Sequence, residues 1–192
     1  MCISDRYNMV LTKTPICNFG EKPHSFTLKG VDNKLYKFED LIGKNGTLIM
    51  FICNHCPYVK AVIKDIVNDT SVLKKMGVET MAIMSNDTKN YPDDSFDKML
   101  EFSKKNNFQF PYLFDETQKV AKKFGAVCTP DFFFYNNQLE LQYRGRLKEL
   151  KDLKPVNTGE SDLLKAIKII IKTGKGPENQ IPSMGCNIKW IK

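Results

Sequence analysis

The chain alternates between short runs that are apolar at every position and longer runs that are apolar on one side only. Residues 48–52 are of the first kind, and residues 78–84, apolar but for Glu79 and Thr80, read as a second buried strand. An unbroken apolar run of that length predicts a strand covered on both faces. The segment after Cys56 is of the second kind. Val59, Val62, Ile63, Ile66 and Val67 recur at helical spacing, with Lys60, Lys64, Asp65 and Asn68 opposite, which predicts an amphipathic helix. Pro57 suits its first position, where a missing N–H costs no hydrogen bond. Weaker signals fill the rest. Residues 1–24 read as irregular. Residues 26–28 and 35–37 read as strands around the turn Gly30-Val31-Asp32-Asn33, with a helical turn at 38–42. A loop over 85–94 leads to a helix capped by Asp94 or Ser95, with Phe96, Met99 and Leu100 inward. Residues 112–114 form a strand, and Asp115 caps a helix to Phe124 that Gly125 stops. Residues 132–135 and 139–143 form a hairpin around Asn136-Asn137. A last helix spans 161–172, with Leu163, Leu164, Ile167, Ile170 and Ile171 inward, and Gly174 ends it. The order β-α-β-α-β-α-β-β-α predicts an α/β sandwich with a central mixed sheet flanked by helices.

At 192 residues the chain suits one domain over 1–192, with a core over about 16–175 and a C-terminal tail over 176–192. No run reaches the roughly 20 apolar residues of a membrane span. Met1-Cys2-Ile3-Ser4-Asp5-Arg6 lacks the basic-then-apolar pattern of an export signal. A cytoplasmic protein without membrane contact is expected. The formal net charge of +7 comes almost entirely from lysines spread over helix faces, as at Lys165, Lys168 and Lys172. Without an arginine-rich patch, this points to solvated faces rather than nucleic-acid binding.

Six cysteines (Cys2, Cys17, Cys53, Cys56, Cys128, Cys186) stand in this chain. In a reducing compartment a C-x-x-C reads as catalytic or metal-binding rather than structural. Cys53-Asn54-His55-Cys56 joins the end of an apolar strand to the start of a helix. Amides and the positive dipole end of a helix N-terminus stabilise a thiolate. Cys53 is therefore the candidate nucleophile, with a lowered pKa. His55, when protonated, adds to that stabilisation, and Cys56, less exposed on the helix, is the resolving thiol. No cofactor is required. The competing use of the thiols is a metal site drawn from Cys53, Cys56, Cys128 and His55, since zinc takes about four ligands. Cys128 reads equally as a third redox thiol or a small buried residue. Cys186 lies in a tail that can fold back as a resolving thiol, although burial is its commoner use. Arg144 and Arg146 read as salt-bridge partners on a β-edge, and Asp93-Asp94-Ser95 as a helix cap.

The element order, with C-x-x-C after the first long strand and Thr129-Pro130 before the hairpin, resembles the thioredoxin fold. Gly20, Phe26, Leu28 and Leu41-Ile42-Gly43-Lys44 resemble the opening of redoxin domains, the branch with the alkyl hydroperoxide reductases and thiol-specific antioxidant proteins. Four blocks are similar to a cytosolic peroxiredoxin-like subgroup within it: residues 51–60, Cys128-Thr129-Pro130-Asp131-Phe132-Phe133, Tyr143-Arg144-Gly145-Arg146, and Gly185-Cys186-Asn187-Ile188-Lys189-Trp190. The resemblance covers about residues 16–192. It implies a cis-proline loop at Thr129-Pro130 that faces the C-x-x-C and binds extended substrate. It implies thiol–disulfide exchange with protein or small-molecule disulfides, fed by a thioredoxin-type or glutathione donor. A homodimer is compatible with it. It also implies an alternative, a thiol peroxidase acting on peroxides, in which Cys56, followed by Pro57, is peroxidatic. The chain departs from the pattern at Ile52, where thioredoxins carry Trp, and at residues 46–52, which hold no buried acid. By this reading the familiar proton acceptor is missing.

Overall fold

A computed structural model of the chain describes residues 10–192. The reading of residues 1–6, and Cys2 with it, lies outside the described residues. Among the described residues twelve strands and four α-helices follow in order: β1 (Leu11–Lys13), β2 (Thr27–Gly30), β3 (Leu35–Lys37), β4 (Thr47–Phe51), α1 (Pro57–Lys75), β5 (Glu79–Met84), α2 (Phe96–Lys105), β6 (Tyr112–Phe114), α3 (Lys119–Phe124), β7 (Cys128–Thr129), β8 (Asp131–Tyr135), β9 (Leu141–Tyr143), β10 (Leu150–Lys151), β11 (Lys154–Pro155), α4 (Asp162–Thr173) and β12 (Met184–Asn187). A 3-10 turn, Phe38–Leu41, precedes β4. Among the described residues, no helix is long and apolar enough to cross a membrane.

The main sheet has the order β3-β2-β6-β5-β4-β8-β9. It is mixed, as expected: β4 and β6 run parallel to β5, while β8 lies antiparallel to β4. Strand alternation sends Leu48 and Met50 of β4, and Phe132 and Phe134 of β8, into one core with α1, α2 and α4. Ile49, Phe51, Phe133 and Tyr135 enter a second core on the opposite face with α3 and the 3-10 turn. That two-sided covering is why β4 reads as apolar throughout. It also fixes the C-terminal end of β4, and with it the C-x-x-C, at the centre of the sheet.

Several expectations change. Residues 1–24 were expected to be irregular, yet β1 pairs with β12. Around Asn136 the hairpin loop is longer than expected, because the Asn136 side chain accepts the amides of Gln138 and Glu140 and β9 starts only at Leu141. α3 starts only at Lys119 with Gln118 as its N-cap, later than expected, and Asp115 reaches its first turn from outside, accepting from the amides of Val120 and Ala121. In α2, Met99 is buried while Phe96 and Leu100 are only half-buried. A second sheet, β1-β12-β7, and the small hairpin β10-β11 carried no sequence signal.

Candidate functional site

Cys53 follows β4 by two residues and Cys56 is the N-cap residue of α1, with Pro57 at the first helical position. The link between strand and helix is short because Ile52 still donates to Ile83 O and Lys60 already donates to Cys56 O. Opposite stands Thr129, whose peptide bond to Pro130 is cis. Cys53 Sγ lies 3.3 Å from Thr129 Oγ1, and Cys56 Sγ lies 3.1 Å from Thr129 O. Five expected residues, Cys53, His55, Cys56, Thr129 and Pro130, therefore meet at one place. Cys128 does not join them in the same way. It is buried, and its sulfur approaches Pro130 O at 3.8 Å. The third sulfur at the dithiol is Cys186, 3.1 Å from Cys56 Sγ.

The charge distribution differs from the sequence expectation, which lowered the pKa of Cys53. Burial pushes Cys53 well above the ordinary thiol value, and its hydrogen bond to Cys56 and the Asp94 charge push the same way. Burial would raise Cys56 too. Hydrogen bonds from Cys186 and Cys53, with the Val59 and Cys186 amides, outweigh that and bring Cys56 below the ordinary value. Cys56 makes no capping hydrogen bond of regular geometry, but it sits nearer the helix end than Cys53 does. Of the two C-x-x-C thiols, Cys56 is thus the one held below the ordinary value. Cys186 is raised, first by its bond to Cys56 and then by burial, and burial raises Cys128.

Asp94 is the residue that sequence reasoning misplaced. It is fully buried, and of the two expected caps it is Ser95 that stands at the N-cap of α2. Its Oδ1 accepts from Asn54 N at 2.8 Å and its Oδ2 from Asn86 Nδ2 at 2.8 Å. His55 Nδ1 lies 2.6 Å from Oδ2, and the His55 ring stacks on Tyr91 with planes 8° apart. Tyr112 OH donates to Asn54 Oδ1, tying β6 to the C-x-x-C. Cys53, His55 and Asp94 each offer a ligand atom within 4.8 Å of the others. A buried acid therefore reaches the site from the loop before α2, where residues 46–52 supply none. As a donor set for a metal, these three keep Cys53 and His55 of the expected four, bring in Asp94, and leave out both Cys56 and Cys128.

Arg144 is held elsewhere. Its Nη2 donates to Asp131 Oδ2 at 2.9 Å and to Gly125 O at 2.8 Å, and its guanidinium covers the Phe133 ring. Arg146 pairs with Asp162 and Glu149. Both arginines are salt-bridge partners, as expected. Beside Pro130 a cavity of ≈ 310 Å³ is lined by Tyr58, Val62, Phe132, Leu147 and Met184.

The AhpC/TSA family model matches residues 19–144. No curated protein is matched by the sequence. Among solved structures, the chain is similar to an uncharacterised conserved protein from Geobacillus kaustophilus, with 37% identity, TM-score 0.85, and 96% of this chain and 98% of that one covered. It is similar to a hypothetical protein from Sinorhizobium meliloti, with 31% identity, TM-score 0.86, and 94% and 98% covered. A thiol:disulfide interchange protein of the thioredoxin family from Chlorobium tepidum shares the fold at 16% identity, TM-score 0.60, with 79% and 97% covered.

Proposed function

We propose that this chain, which belongs to the AhpC/TSA family, is a thiol–disulfide oxidoreductase working through the Cys53–Cys56 couple. Its redoxin domain is of the thioredoxin superfamily. The observation that carries the reading is the pair of C-x-x-C sulfurs, both in contact with Thr129 of the cis-proline loop. Cys53 attacks one sulfur of a substrate disulfide and gives its proton to His55, whose positive charge Asp94 then stabilises. The first substrate thiolate leaves and takes up that proton. Cys56, the thiol with the lowered pKa, attacks as its thiolate the Cys53 sulfur of the mixed disulfide and expels the second substrate thiolate. Two electrons have passed to the substrate, and Cys53–Cys56 is oxidised. A thioredoxin-type or glutathione thiol donor restores it in a reducing compartment. A stabilised Cys56 thiolate also favours the reduced form, which makes the couple more oxidising. The cavity beside Pro130, lined by Val62, Phe132 and Leu147 and also by the charged Lys13, Arg146, Lys148 and Glu149, lies next to the place of the substrate disulfide.

The test is reduction of insulin and of a small disulfide by wild type and Cys53→Ser. Wild-type turnover with loss to background in the variant is expected, and equal turnover in both removes the reading. The lowered pKa of Cys56 supports a second reading, a thiol peroxidase in which Cys56 attacks peroxide and Cys53 or Cys186 resolves the sulfenic acid. Against it, the Arg144 guanidinium is engaged by Asp131. Stopped-flow mixing with hydrogen peroxide decides between them, since only the peroxidase gives a Cys56-dependent rate far above that of free cysteine.

A further inference from the structure

The extended segment that lies along the cis-proline loop is the chain's own. β12 runs antiparallel to β7, with Cys186 opposite Thr129 and Asn187 opposite Cys128, and β1 covers its other edge. β12 thus occupies the edge that an incoming extended disulfide substrate would pair with. The side chain it presents to the dithiol is a cysteine, with sulfur-to-sulfur separation of 3.1 Å from Cys56. The closeness depends on Gly185, because a Cβ there would stand 1.9 Å from Thr129 O. Two further contacts hold the strand in place: Ser183 Oγ donates to Pro130 O at 2.7 Å, and Lys189 N donates to Asn86 Oδ1 at 2.9 Å. Asn86 in turn holds Asp94. Cys53, Cys56 and Cys186 share one buried core.

We propose that Cys186 is a third redox thiol and that β12 is an internal substrate of the C-x-x-C, the disulfide moving from Cys53–Cys56 to Cys56–Cys186. The proposal rests on the dithiol reading above. In the exchange the Cys186 sulfur bonds to Cys56, the Cys53–Cys56 bond breaks, and the proton of Cys186 passes to the departing Cys53 thiolate. No net oxidation occurs, since the two electrons were already given to the external disulfide in the earlier step. The oxidised chain then has a free Cys53 thiol while its last strand is covalently fastened to the head of α1. Cys128, aimed at Pro130 O, takes no part.

The experiment is disulfide mapping of the full chain. Reduced wild type and Cys53→Ser are oxidised with glutathione disulfide, quenched in acid, alkylated and digested without reduction for mass spectrometry. A Cys56–Cys186 link is expected beside Cys53–Cys56 in wild type, and as the main product in Cys53→Ser. Wild type that carries only Cys53–Cys56, with Cys186 alkylated throughout, overturns the proposal. So does Cys53→Ser that stops at a glutathione adduct on Cys56. The wild-type arm needs no variant to fold. Turnover of an external disulfide, assayed on the same preparation, reports on the dithiol reading separately: turnover without the Cys56–Cys186 link sinks only the internal exchange.

Discussion

Asp94 sits fully buried because its neighbours meet its charge: the Asn54 amide and the Asn86 carboxamide donate to it, and His55 Nδ1 stands 2.6 Å from Oδ2. Charge-assisted bonds of this kind offset the loss of solvation. If the carboxylate stabilises the imidazolium formed when Cys53 loses its proton, Asp94→Asn keeps the shape and removes that help. Turnover of a disulfide substrate is then expected to fall by about 10²-fold, the lower end for general acid–base catalysis, with KM little changed. Steady-state kinetics on folded Asp94→Asn check this, and an unchanged kcat would deny His55–Asp94 its role. Nothing in the sequence separates Asp94 from a helix cap, because Pro92-Asp93-Asp94-Ser95 has the composition of a helix start. Its role comes from Asn54 and His55, which only the folded chain brings beside it. The two C-x-x-C thiols were legible from spacing alone. Which of them has the lowered pKa was not, since that depends on Cys186 arriving from the far end of the chain.

Long periodic elements were readable because many positions vote for one pattern. β4, α1 and α4 fall within a residue or two of expectation, except that α1 runs on to Lys75. β12 was not readable. Met184-Gly185-Cys186-Asn187 has neither alternation nor β-branched residues, and its pairing is set by β7 and β1. Its one essential local feature is the glycine. Gly185→Ala places a methyl group against the Thr129 carbonyl and must lift the strand. Overpacking of this kind costs about 1–3 kcal/mol, or about 2–4 °C in Tm per kcal/mol for a chain of this size. Thermal unfolding should register that loss. Disulfide mapping of the same variant should no longer find Cys56 joined to Cys186. A variant as stable as wild type that still makes the link would mean that the strand's close approach is not required.

For the whole molecule, the thiols impose a pH dependence with two limbs. Cys56 is lowered in the folded state from an ordinary value of 9.0. Its contribution to stability is fully present above that value and declines as pH falls below it, because the unfolded chain then binds a proton that the native chain does not. Cys53, Cys128 and Cys186 are raised. Their contribution holds below pH 9.0 and is lost above it, as the unfolded thiols ionise while the folded ones stay protonated. Reduced protein should therefore gain stability between about pH 7 and 8.5, at up to about 1.4 kcal/mol per pH unit for one proton, and lose it above about pH 9.5. Denaturant titrations across that range test both limbs, and Cys56→Ser should flatten the first. A rise that survives in Cys56→Ser would place the charge on another sulfur, and a wild-type curve that falls steadily from pH 7 would deny it to every thiol. Cys53 and Cys56 are 1% and 0% exposed, so no partner molecule meets either sulfur until the edge formed by the last strand breathes. Opening of that edge then enters the rate as a rare pre-equilibrium that multiplies the chemical step. Each additional 1.4 kcal/mol or so holding that edge shut would slow the protein about tenfold without altering one reacting atom.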